Sequence, residues 1–180
     1  MGTSAVPDHT PDHTPGHSRG DRLAAFGNQL IDVHIWLREE LARLQDDVDG
    51  FLAGSGERPR ELRSHCLAFC SALTRHHTAE DDNVFPALAR QFPELAPVLE
   101  QLARDHHMVT AVLGRLQDLL DGIGPAPDAA EARRVRGELD GLVALVESHF
   151  TYEEKKLVAA LNALNTPLSD DFTLRGAPGR

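Results

Sequence analysis

His34, His76, His106 and His149 each break a leucine-rich helical pattern, and His76 and His149 are each followed four residues later by a glutamate, Glu80 and Glu153. Imidazole nitrogen and carboxylate oxygen are donors for transition-metal ions, and residues four apart share one helix face about a turn apart. All six stand where a core hydrophobe belongs. His34 lies between Leu30 and Leu37, His76 and Glu80 between Leu73 and Val84, His106 between Leu102 and Val109, and His149 and Glu153 between Val146 and Leu157. A buried polar group without a partner costs roughly 1–3 kcal/mol, and an unpaired carboxylate costs more. Internal hydrogen bonds satisfy some of these groups; cations satisfy all of them. One zinc ion ordinarily takes four ligands. Six donors, two of them able to bridge, fit two ions better, and nitrogen and oxygen donors without thiolate favour iron or manganese over zinc.

Four helices must carry these donors. The first is expected from about Asp21, an N-cap, to about Val48, stopped by Gly50, Gly54, Ser55 and Gly56. The second opens at Pro59, is kinked or ended by Pro86 and closes at Pro93. The third runs from about Glu94 to Leu120, ended by Gly122, Gly124 and Pro125. The fourth opens with Asp128 and, three residues on, Glu131, which reads as a capping box, and continues to Leu164. No segment alternates with period two over a useful length. Short connections between four amphipathic helices predict an all-α, up-down-up-down antiparallel four-helix bundle over residues 22–164.

The register supports one shared layer. His34 lies 21 residues before a turn centred near Ser55, and His76 lies 21 after it. Glu80 and His106 lie 13 residues either side of Pro93. His106 and His149 lie 20 and 23 residues from Ala126, a mismatch of about 4.5 Å at 1.5 Å per residue. In antiparallel neighbours, equal distances from a turn mean equal heights.

Composition narrows the partners. Among 180 residues, 28 Asp and Glu stand against 18 Lys and Arg, a net charge of −10, which repels phosphate backbones and argues against nucleic acid. No apolar run approaches the ~20 residues of a membrane span. The N-terminus lacks the apolar stretch of a secretory signal, and two Cys make no disulfide framework, so a cytoplasmic protein is expected. Residues 1–21 repeat PDHT, PDHT, PGHS and read as a disordered His- and Pro-rich tail, with metal scavenging by His9, His13 and His17 as the alternative. Residues 165–180 read as a second tail.

The stretches IDVHIWLREEL, HHTAEDDNVFPAL, RDHHMV and SHFTYEEKKLVAAL, in this order over roughly residues 25–164, resemble the hemerythrin-like, HHE cation-binding family. The family pattern is a lone His on the first helix, H-x-x-x-E and an aromatic-Pro on the second, a His after an acid on the third, and H-x-x-x-E-E on the fourth. The resemblance implies two non-haem iron ions, with His34 and His76 on one, His106 and His149 on the other, and Glu80 and Glu153 bridging. Oxygen-carrying hemerythrins have a second His one turn along the third helix. Here those positions are Leu102 and Thr110, so one iron is expected to lack a ligand, replaced by water or another protein group. That turns the expectation from oxygen carriage toward redox chemistry with peroxide, O2 or nitric oxide, with electrons from an external donor. His77 and His107 lie ~100° round their helices from His76 and His106 and are read as flanking or surface residues.

The remaining residues have structural readings. His65 is expected to be a core or bundle-end His with a hydrogen-bond partner, and Cys66 and Cys70 to be packing thiols rather than a redox switch. Trp36 and Tyr152 are read as packing, and Glu39–Glu40 and Asp46–Asp47 as solvated faces. Glu154 is the alternative fourth-helix carboxylate. Three functions follow: a di-iron protein that binds or reduces a small oxidant, an iron or oxygen sensor without turnover, and a metal-free bundle with a hydrogen-bonded polar layer. A ferritin-like oxidase is a poorer fit, because Glu-x-x-His does not occur in the chain.

Overall fold

A computed structural model describes residues 25–54 and 59–164. The two tails, the Asp21 cap and the turn at Ser55 lie outside the described residues. Helix α1 spans Ala25–Leu52, α2 Pro59–Ala79, α3 Phe85–Gln91, α4 Ala96–Gly122 and α5 Ala129–Asn162. A π-helical turn, Glu80–Val84, joins α2 to α3, and a 3-10 turn, Pro93–Leu95, leads into α4. The described residues therefore form an all-α bundle of four rods, the second of which is broken.

The breaks have local causes. Pro86 has no N–H to offer and its ring crowds the carbonyl four residues back, so the second rod widens into a π turn there and resumes as a helix. The first helix runs through Gly50, beyond the expected stop at Val48, because Phe51 continues the buried stripe. Gly54, at φ 76°, takes the left-handed turn that ends this segment. The capping box of α5 forms as expected: Asp128 accepts from the Ala130 and Glu131 N–H groups at 2.7 and 2.8 Å, and the Asp128 N–H donates to Glu131 at 3.0 Å.

Contacts between the rods run in opposite directions along the chain. Gly27 meets Asn162 and Asp49 meets Arg136 across α1 and α5. Asp47 meets His65 and His34 meets His76 across α1 and α2. Arg63 meets Asp121 and Asp81 meets His106 across the second rod and α4. His106 meets His149 and Arg115 meets Glu138 across α4 and α5. Each rod is thus antiparallel to both of its neighbours.

The apolar interior falls into two clusters. One holds Val33, Leu37, Leu73, Val109, Val146 and Phe150 with the remaining residues toward the far end. The other holds Leu30, Val84, Phe85, Leu102, Leu157 and Leu161. These residues bracket the six polar positions on every rod, so a polar layer divides the core. Near the end of the second cluster, α1 and α5 approach so closely that only a glycine fits. The Gly27 N–H donates to Asn162 Oδ1 at 3.0 Å. A Cβ at Gly27 would sit 2.6 Å from that oxygen and 2.9 Å from the Val158 carbonyl. Gly27→Ala is therefore expected to destabilise the bundle by roughly 1–3 kcal/mol, the usual range for overpacking, read as a lower urea midpoint with an unchanged slope.

Candidate metal centre

The polar layer gathers every residue expected in it. His34, His76, Glu80, His106, His149 and Glu153 are all buried, with Glu80 and Glu153 at 0% exposure. The imidazoles point their Nε2 atoms inward. His34 and His76 approach at 3.0 Å between these atoms, and His106 and His149 at 3.2 Å. The two carboxylates lie between the pairs. Glu80 presents Oε1 to His76 at 3.3 Å and Oε2 to His106 at 3.5 Å. Glu153 presents Oε2 to His34 at 3.4 Å and to His149 at 3.6 Å. Each glutamate faces one histidine of each pair.

These spacings are those of a coordination polyhedron. With metal–donor bonds of ~2.1 Å, adjacent donors lie ~3.0 Å apart at a right angle and ~3.4 Å apart at a tetrahedral angle. Hydrogen bonding alone does not satisfy the layer: all four carboxylate oxygens of Glu80 and Glu153 are buried without a hydrogen-bond partner. An orphaned buried carboxylate is costly, and cations between the donors would remove that cost. Among the described residues the donors fall into two groups, each with its atoms within 4.8 Å of one another: His34, His76, Glu80 and Glu153, and His77, His106 and His149.

His77 corrects the sequence reading. It is buried at 4% exposure, its ring stacks on His106 with centroids 4.0 Å apart, and its Nε2 has no hydrogen-bond partner. The second rod buries a face two residues wide, with Phe69–Cys70 and Ala72–Leu73 both inside. His76 and His77 straddle the inward direction, so a 100° offset leaves both pointing at the layer. That doubled apolar stripe is the signal that could have found His77. On α4 the buried stripe is one residue wide, and His107 is exposed with Met108 and Thr110.

The other polar residues take outer positions. Glu153 is the carboxylate inside the layer; Glu154 lies outside it and accepts the His34 Nδ1–H at 2.9 Å. His65 donates to Asp47 at 2.6 Å, so Asp47 is a partner and not merely a solvated acid. Cys66 and Cys70 are buried free thiols 3.6 Å apart. Trp36 and Tyr152 are half-buried and pack against the two core clusters. Phe150 stacks on His34 at 3.8 Å and closes the layer on the side of the larger cluster.

Electrostatics set the cation-free charge state. Burial pushes the Glu80 carboxyl well above its usual range, reinforced by the charge of Glu153. Burial also opposes charge on Glu153, but contact with His34 and the charges of His34, His149 and His106 hold its pKa below the usual range. His34 is raised: burial works against its charge, and Glu153 and Glu154 outweigh burial. Burial lowers His76 and His77 well below the ordinary value, with neighbouring histidines adding to it, and lowers His106 as well. Burial brings His149 down to about 4.

The sign of the pH dependence follows. Between the ordinary value of 6.5 and its folded value of about 4, His149 binds a proton in the unfolded chain and not in the folded one. Stability is therefore lost as pH falls through that window. His76, His77 and His106 act in the same sense, His34 is protonated in both states there, and Glu80 opposes. The metal-free bundle is expected to be less stable at pH 5 than at pH 6.5, with His149 alone contributing on the order of 2 kcal/mol. Urea midpoints of chelator-treated protein at the two pH values measure the difference; a higher midpoint at pH 5 contradicts it.

No helix among the described residues is long and apolar enough to cross a membrane. A sequence model of the family described as Hemerythrin HHE cation binding domain matches residues 27–161. No curated protein and no solved structure matches the chain.

Proposed function

Because the chain belongs to the hemerythrin HHE cation-binding domain family, we propose that it holds two non-haem iron ions in this layer and uses them to bind or reduce a small oxidant: O2, peroxide or nitric oxide. His34 and His76 would serve one ion, His77, His106 and His149 the other, with Glu80 and Glu153 bridging. The observation that carries this reading is the pair of buried glutamates, their four oxygens without partners, each set between the two histidine groups.

His77 would supply the ligand that the third helix lacks, which would leave the His34–His76 side with one histidine fewer and room for an exogenous ligand. Bound ions would supply the reducing electrons and that open position. The chain does the rest. Phe150 lies against His34 and edge-on to His76 at 6.1 Å, keeping bulk water from that side. The antiparallel helix register keeps the donor groups at one height, and the apolar clusters on either side lower the dielectric around the layer. An external donor would return the electrons.

Optical spectra test the reading. Protein loaded with Fe(II) under anaerobic conditions and then exposed to air is expected to gain near-ultraviolet and visible charge-transfer bands that shift with azide, peroxide or nitric oxide. A spectrum that none of the three alters would overturn it. The sensor alternative is favoured by one observation: every rod contributes a donor, so cation occupancy and bundle order are coupled.

A further inference from the structure

Three carboxylates outside the layer each follow or precede a member of it in sequence, yet each faces a histidine on a different rod, and two of them hydrogen-bond to it. Glu154, next to Glu153 on α5, accepts from His34 Nδ1 on α1 at 2.9 Å. Asp81, next to Glu80 in the π turn, accepts from His106 Nδ1 on α4 at 2.9 Å. Asp105, next to His106 on α4, lies 3.7 Å from His149 Nδ1 on α5. All three are half-buried, with side-chain exposures of 26%, 34% and 14%. Two are held in turn: Arg38 donates to Glu154 at 2.8 Å, and Gln101 donates to Asp105 at 2.8 Å.

We propose that Asp81 and Glu154 are positioning residues that clamp the imidazoles of neighbouring rods, fixing the tautomer with hydrogen on Nδ1 and the Nε2 lone pair aimed at the cations. This inference rests on the di-iron reading and deepens it. A neutral imidazole donates from one nitrogen and accepts at the other, so a carboxylate on Nδ1 determines which nitrogen faces the metal. The acceptor also raises the basicity of the ring. The contacts are graded. Those at His34 and His106 are closed at 2.9 Å, while Asp105 stands 0.8 Å farther from His149 (3.7 − 2.9) and leaves its Nδ1 without a hydrogen-bond partner. Each clamp crosses between rods, so it ties the height of one helix to a donor on the next. The π turn starts at Glu80 and carries Asp81 in its first turn, opposite His106.

The test is anaerobic titration of metal-free, full-length protein with Fe(II) against a chromophoric chelator. Asp81→Ala is expected to weaken binding by roughly 10–100-fold, the usual cost of removing a carboxylate behind a metal-bound histidine. Asp105→Ala is expected to cost less, because its contact is the open one. Asp82→Ala removes the same charge one residue away, at an exposed position, and is expected to bind as the unmodified protein does. Asp81→Asn keeps an acceptor but not the charge. With Co(II) as the probe it is expected to shift the visible spectrum while leaving the far-ultraviolet circular dichroism of the metal-free protein unchanged, which a purely structural role would not do. Asp81→Ala binding Fe(II) within two-fold of the unmodified protein would overturn the clamp and leave the metal centre standing. If the unmodified protein binds no Fe(II), the metal centre falls and the clamp falls with it.

Discussion

Stripping metal from this protein at neutral pH is expected to lower its melting temperature by about 8–16 °C. The magnitude follows from linkage. A ligand that binds only the folded state at about 1,000 times its dissociation constant adds about 4 kcal/mol, and each kcal/mol is worth roughly 2–4 °C in a domain of this size. The structure gives the reason for expecting folded-state binding. Seven buried polar side chains share the layer, and four carboxylate oxygens, the His77 Nε2 and the His149 Nδ1 have no hydrogen-bond partner. Cations satisfy these atoms in the folded chain; in the unfolded chain water does. Scanning calorimetry of iron-loaded and chelator-treated protein measures the shift. Equal melting temperatures would remove both the metal centre and the sensor alternative, which needs occupancy to order the bundle.

His77→Phe is expected to weaken the second ion by on the order of 100-fold or more, beyond the loss typical of an outer carboxylate, while His107→Phe leaves both ions in place. Phenylalanine keeps a ring that stacks on His106 and removes only the donor nitrogen, so packing and ligation separate. The His34–His76 group does not contain His77, and one ion is expected to remain there. Metal content after gel filtration against a weak chelator distinguishes the two variants. Equal retention by both would return His77 to the flanking role that its sequence position suggests.

The difference between these histidines shows how far the sequence could be read. The shared layer was legible because a polar residue replacing a leucine at core spacing leaves a gap in the pattern, and equal counts from each turn set the heights. His34, His76, Glu80, His106, His149 and Glu153 all meet on that basis. His77 was not legible from the angle of a single residue, since inward-facing width depends on how deeply a rod is packed. The width is readable only from the paired apolar residues Phe69–Cys70 and Ala72–Leu73 above it. Pro86 announced a disruption but not its form: the regular helix gives way to a π turn over Glu80–Val84 and resumes at Phe85. Asp81 escaped because its contact with His106 lies across the interface, which neither spacing nor periodicity encodes. Asp47, read as a solvated acid, holds His65 for the same reason.

Elemental analysis of the full-length protein, produced with ample iron and purified without chelator, tests the central claim most directly. The geometry of two donor groups joined by two carboxylates predicts about two transition-metal ions per chain, as in other two-metal sites. A content well under one ion per chain would contradict it and leave the buried glutamates without an explanation.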